Sequence, residues 1–122
     1  MRALIVDDSQ FIRQFLRVLL ATRGIECEEA ADGTEGLARL RASAPFDLAL
    51  LDWNMPGMTG LEMLQTMRAE GFTAVKVLMV TAEDENKSIS RALEAGADEY
   101  LLKPFEAEAL SEKLAMLGLV EA

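Results

Sequence analysis

Short runs of continuous apolar residues alternate with longer segments in which apolar residues recur every three or four positions, and the alternation repeats five times. This rhythm predicts β-strands near residues 3–6, 26–29, 48–51, 75–80 and 100–102, with helices between them. The third run and residues 77–80 of the fourth consist of Leu, Ala, Val and Met without a polar break. Strands read this way when helices cover both faces of a parallel sheet. Helix edges are also visible. Ile12, Phe15, Leu16, Leu19 and Leu20 form one apolar stripe, and Gly24 follows as a stop. Thr59 with Glu62 has the spacing of a capping box, opening a helix through Leu61, Leu64 and Met67 that Gly71 ends. Asp84 opens a fourth helix carrying Ile89 and Leu93 and closed by Gly96, and a last helix starts near Phe105 and carries Leu110, Leu114 and Leu117.

Strand–helix–strand connections of this length are right-handed crossovers almost without exception. The expected fold is therefore α/β: a doubly wound, five-stranded parallel sheet with helices on both faces. All strand C-termini then share one edge, and open α/β sheets bind ligands at that edge, where strand order reverses.

Composition narrows the function classes. With 122 residues, 51% hydrophobic and 27% charged, the chain is expected to form one domain over residues 1–122, with a core that needs neither metal nor disulfide. Twelve basic against 21 acidic residues give a net charge of -9, which argues against nucleic-acid binding. No apolar run approaches the roughly 20 residues that span a bilayer, and no secretory segment is visible, so a cytoplasmic protein is expected. The absence of histidine excludes Ser-His-Asp triads and histidine-ligated zinc. The single Cys27 reads as a small buried strand residue.

The chemistry gathers at the strand ends. Asp7 and Asp8 follow the first strand, Asp52 the third, Thr81 the fourth and Lys103 the fifth. Any one aspartate before a helix is an ordinary cap, but independent capping has no reason to supply carboxylates, a hydroxyl and an amine along one edge. Two carboxylates about 4 Å apart repel by about 4 kcal/mol at an effective dielectric of 20, so the group predicts a bound cation. Oxygen donors without His or Cys favour a hard ion, Mg2+ over Ca2+. Lys103 can pair with Asp52 at rest and grip phosphate oxygens in turn. A nucleophile, a metal and cationic or hydroxyl donors are the parts that phosphoryl transfer requires.

Val6-Asp7-Asp8-Ser9, Asp52-Trp53-Asn54-Met55-Pro56-Gly57, Val80-Thr81-Ala82 and Lys103-Pro104-Phe105 resemble the receiver domains of two-component response regulators, in order and spacing. The resemblance spans the chain and is nearest to stand-alone receivers of the chemotaxis type. It implies the flavodoxin-like strand order 2-1-3-4-5 and a cis Lys103–Pro104 bond. It implies Asp52 as phosphoacceptor, attacking a phosphohistidine on a sensor histidine kinase or histidine phosphotransfer protein. Asp8, Asp52 and the Asn54 carbonyl become Mg2+ ligands, with Asp7 acting mainly through water. Lys103 and Thr81 bind phosphoryl oxygens, Tyr100 is the aromatic switch, and Asn54 with Glu83 tunes hydrolysis towards a short-lived phosphorylated state.

Output by protein contact through the fourth helix, fifth strand and fifth helix is expected, from a monomer. Residues 1–82 carry 8 basic and 11 acidic groups, and residues 83–122 carry 4 and 10, so that face is acidic. Glu85-Asn86 stand where the chemotaxis pattern is basic, while Lys113 is retained. A flagellar switch protein is one expected effector; a phosphorelay intermediate or phosphate sink is the alternative. Phe11 either docks a phosphodonor bundle or packs beside Phe15. Other classes fit less well. Asp52-Trp53-Asn54 lacks the second aspartate of Mg2+-dependent aspartate-nucleophile phosphohydrolases, two aspartates stand where a flavin carrier needs a phosphate-cradling loop, and no member of the phosphorylation set is missing, as it would be in a scaffold.

Overall fold

The computed structural model describes residues 1–43, 45–82 and 86–120. The elements run β1 (Arg2–Val6), α1 (Gln10–Ala21), β2 (Glu26–Ala30), α2 (Gly33–Ser43), β3 (Leu48–Asp52), α3 (Gly60–Ala69), β4 (Lys76–Thr81), α4 (Asn86–Ala95), β5 (Glu99–Leu102) and α5 (Ala107–Met116). The strands form one parallel sheet in the order β2-β1-β3-β4-β5, as expected. The start expected for α4 at Asp84 lies outside the described residues. α5 begins two residues later than expected, because Phe105 packs its ring on Phe15, centroids 6.0 Å apart, before the helix opens.

Side chains alternate across the strands and divide the core in two. Ala3, Ile5, Leu48, Leu50, Leu78, Val80 and Leu101 face Leu16 and Leu20 of α1 and Leu110 and Leu114 of α5. Leu4, Val6, Ala49, Leu51, Val77 and Met79 face Leu37 and Leu40 of α2, Met63, Leu64 and Met67 of α3, and Ala92 of α4. Leu48 to Leu51 of β3 are buried, as their unbroken apolar run predicts, and so is Asp52, which ends the strand. Cys27 differs from expectation: it lies in a strand but only half-buried, since β2 is an edge strand. Burial still pushes its thiol up to about 11, which keeps it protonated and unreactive at neutral pH.

The alternation implied α2 but did not delimit it. Asp32 Oδ1 accepts the Glu35 amide at 2.8 Å, fixing the entry, and Gly33 and Gly36 let the helix pack closely on Met58 and Met63. No helix among the described residues is long and apolar enough to cross a membrane. Strand order reverses between β1 and β3, placing a crevice at the C-terminal ends of the two central strands.

Candidate functional site

That crevice collects the predicted side chains. Asp7 and Asp8 follow β1, and Lys103 follows β5. Asp52 and Thr81 are not beyond their strands but close them, paired in register with Val80 and Leu102. One carboxylate oxygen each from Asp7, Asp8 and Asp52 lies within 4.8 Å of the other two. Asp7 and Asp52 are only 2% and 6% exposed, whereas Asp8 faces solvent.

Lys103 lies against two of these acids. Its Nζ is 3.1 Å from Asp7 Oδ2 and 3.3 Å from Asp52 Oδ1. Pairing with Asp52 was expected; Asp7 is an additional partner. One ammonium does not balance three carboxylates. Burial, then the charge of Asp7, pushes the Asp52 carboxyl up to about 6 against the opposing pull of Lys103. For Lys103, burial acts downward, but the hydrogen bond to Asp7 and the charges of Asp52 and Asp7 outweigh it and hold the ammonium above its ordinary value. Residual negative charge, buried at Asp7 and Asp52, open to solvent at Asp8 and built from hard oxygen donors, fits a divalent hard cation. Asp7, Asp8 and Asp52 are the side chains that would hold it.

Neighbouring backbone fixes the acids. The Asp7 amide donates to the Ala30 carbonyl at 3.1 Å, and Asp7 Oδ1 accepts the Ser9 amide at 2.9 Å. Ser9 Oγ also accepts the Ile12 amide at 3.3 Å and caps α1. Neither role of Ser9 was read from the sequence; a serine before a helical stripe is a capping signal that could have found the cap but not the bond to Asp7. On the other side, the Trp53 amide donates to the Val80 carbonyl and the Gly60 amide to the Trp53 carbonyl, both at 3.0 Å. A Cβ on Gly60 would lie 2.2 Å from the Asp52 carbonyl oxygen, so only glycine lets α3 seat this close. The Thr59–Glu62 capping box forms as predicted. The close approach at Gly60 has no local sequence signal.

The remaining predicted residues are spread around this centre. Asn54 is exposed in the loop after Asp52. Tyr100 is half-buried in β5 and sits beneath Lys113, whose Nζ is 4.5 Å from the ring centroid and 3.1 Å from Glu99 Oε1. Glu83 lies outside the described residues. The Lys103–Pro104 bond is cis, as expected. Phe11 is 74% exposed, which decides against core packing. With Ile12, Phe15, Pro104, Phe105 and Lys103 it lines a cavity of about 570 Å³.

Known proteins resemble this chain in sequence and fold. The family model for the response regulator receiver domain matches residues 3–115. The chain is 45% identical over 116 residues to the chemotaxis protein CheY of Pseudomonas aeruginosa, covering 93% of each. Among solved structures, chemotaxis protein CheY4 of Vibrio cholerae superposes with a TM-score of 0.89 at 38% identity, covering 95% of this chain and 97% of that one. The response regulator TrrA of Thermotoga maritima, solved in complex with Mg2+-BeF, superposes with a TM-score of 0.83 at 34% identity, covering 95% and 97%. The strand order, the acidic crevice and the extent of these matches lead to one assignment: the chain belongs to the response regulator receiver domain family.

Proposed function

We propose that Asp52 accepts a phosphoryl group from a phosphohistidine on a sensor kinase or phosphotransfer protein, and that the chain signals through the changed surface of α4, β5 and α5. The observation that carries this reading is a buried Asp52 sharing Lys103 with Asp7 inside a three-carboxylate cluster. An Asp52 carboxylate oxygen attacks phosphorus, the P–N bond breaks, and the imidazole leaves as the neutral base once protonated. Lys103 exchanges its carboxylate contacts for a phosphoryl oxygen. The Thr81 hydroxyl binds another, and Tyr100 turns with it. Asp8, Asp52 and the Asn54 carbonyl, with Asp7 in support, would hold Mg2+, which when bound would supply positive charge to the transferring oxygens; the Mg2+-BeF complex of TrrA supports that choice of ion.

The chain thus acts as a stoichiometric phosphoacceptor, with residues 1–122 as one receiver unit working as a monomer in the cytoplasm. Phe11 and Phe15 offer the donor bundle an apolar seat beside Lys103. The chemotaxis proteins among the relatives support a flagellar switch protein as effector. Asn54 with Glu83 gives a short-lived phosphoprotein.

The test follows Trp53 fluorescence through Mg2+ titration and then acetyl phosphate or beryllium fluoride, with phosphoryl incorporation measured in parallel. A Mg2+-dependent step followed by a second step that Asp52→Asn abolishes is expected. Incorporation that persists in Asp52→Asn overturns the assignment.

A further inference from the structure

Arg13 lies outside every role assigned above, yet it reaches the acidic crevice. It sits on the first turn of α1 with a side chain only 15% exposed. Its guanidinium donates from one terminal nitrogen to the main-chain carbonyl of Asp7 at 2.7 Å and from Nε to Glu29 Oε1 at 3.2 Å. Glu29, at the end of β2, is held on its other oxygen by Arg17 at 2.7 Å. The guanidinium fork is therefore oriented before any ligand arrives.

Other contacts to Asp7 have different functions. The Ser9 amide and Lys103 both hold the Asp7 carboxylate, and Lys103 must leave it when it turns to a phosphoryl oxygen. The Ala30 carbonyl holds the Asp7 amide. Arg13 is the described side chain that grips the peptide joining Asp7 to Asp8, and it does so without using a carboxylate oxygen. We infer that Arg13 is a positioning residue: through the Asp7 carbonyl it fixes the loop that presents Asp7 and Asp8 to the metal, and Glu29 holds it in place.

The sign of the effect distinguishes positioning from charge. Removing a guanidinium beside a cation site strengthens cation binding by Coulomb's law alone. Loss of a group that orients metal ligands weakens it, commonly by about 10-fold or more. The experiment measures the Mg2+ dissociation constant by Trp53 fluorescence in the full chain, at low and high salt, for wild type, Arg13→Gln and Arg17→Gln. Arg17→Gln removes a pair to the same glutamate without touching Asp7.

Arg13→Gln is expected to weaken Mg2+ binding by about 10-fold at both salt concentrations, and Arg17→Gln by less than about twofold. A metal-free readout accompanies it: the Ser9 amide loses hydrogen-exchange protection in Arg13→Gln and keeps it in Arg17→Gln. Should Arg13→Gln fail to fold, Arg13→Lys keeps the charge but cannot span Glu29 and the Asp7 carbonyl as the fork does; its expected loss is about threefold. Unchanged or tighter binding in the folded Arg13 variant overturns the inference, as does an equal loss in Arg17→Gln. The inference rests on the proposed metal site, and the two failures differ: wild type that ignores Mg2+ overturns both, whereas wild type that binds Mg2+ no better than the Arg13 variant overturns the inference alone.

Discussion

The two edges of the sheet handle charge in opposite ways. At the N-terminal edge, Arg68 of α3 donates to the carbonyls of Phe72 and Val75, to Gly96 through two nitrogens, and to Asp98. Asp98 in turn accepts the Val77 amide at 2.8 Å, and Asp47 accepts the Arg2 amide at 2.9 Å. Each of these charges meets an opposite charge or a backbone dipole and locks a strand start to its neighbour. At the C-terminal edge, three carboxylates gather and one lysine pairs with two of them, and the Asp52 carboxyl is pushed up to about 6. One edge spends charge on holding strands together. The other keeps an excess that weakens the metal-free fold and favours a cation.

Breaking this contrast should produce effects that fall in a definite order. The acidic edge is costly in charge but closely built, so Gly60→Ala, which drives a methyl group into the Asp52 carbonyl, should destabilise most, by about 4 kcal/mol in urea unfolding. Arg68→Met comes next. It leaves Asp98 without its cation and several carbonyls without a donor, an expected loss of about 3 kcal/mol.

Asp52→Asn should act in the other direction. In metal-free buffer at pH 7 it is expected to raise Tm by roughly 6 °C, the equivalent of about 1.5 kcal/mol in a domain of this size. The pH dependence carries the sign. The folded-state value, about 6, lies above the ordinary 3.8, so folded protein holds this proton more tightly than the unfolded chain. The stability it contributes is complete below about pH 3.8 and is lost as pH rises through about 6. The Tm gap between variant and wild type should therefore open across that window in thermal melts and stay constant above it. Mg2+ at pH 7 should narrow the gap by stabilising wild type. The smallest effect sharpens the comparison from a neutral position: Thr59→Ala removes the capping box beside the acidic edge and should cost about 1 kcal/mol, with no dependence on Mg2+.

What the sequence disclosed follows from the range of the interactions involved. The strands, the α1 stripe and the Thr59–Glu62 box depend on neighbours a few residues apart, and period or spacing reveals them. The converging acids were legible because a parallel sheet sends all strand ends to one edge. α2 was harder: Gly33 and Gly36 lower its helix propensity, and they are there because Met58 and Met63 lie against them. The second partner of Lys103 lies far away in the chain, whereas the reach of Arg13 to Asp7 and the seat of Gly60 on Asp52 are shorter contacts across a strand–helix turn; none of them follows the period of a strand or a helix, so no local pattern encodes them. The half-exposure of Cys27 depends on β2 lying at the sheet edge, which is a property of strand order.

The Lys103 amide donates to the Thr81 carbonyl at 2.7 Å, and this bond ties two of the proposed phosphate-binding residues together by their main chains. They belong to different segments, yet neither backbone shifts without straining the other. The site therefore has fewer independent moving parts than its roster of residues suggests. In the proposed signalling reading, the quantity sent outward is the displacement of a seam between β4 and β5, and the stiffness of that lever belongs to the sheet.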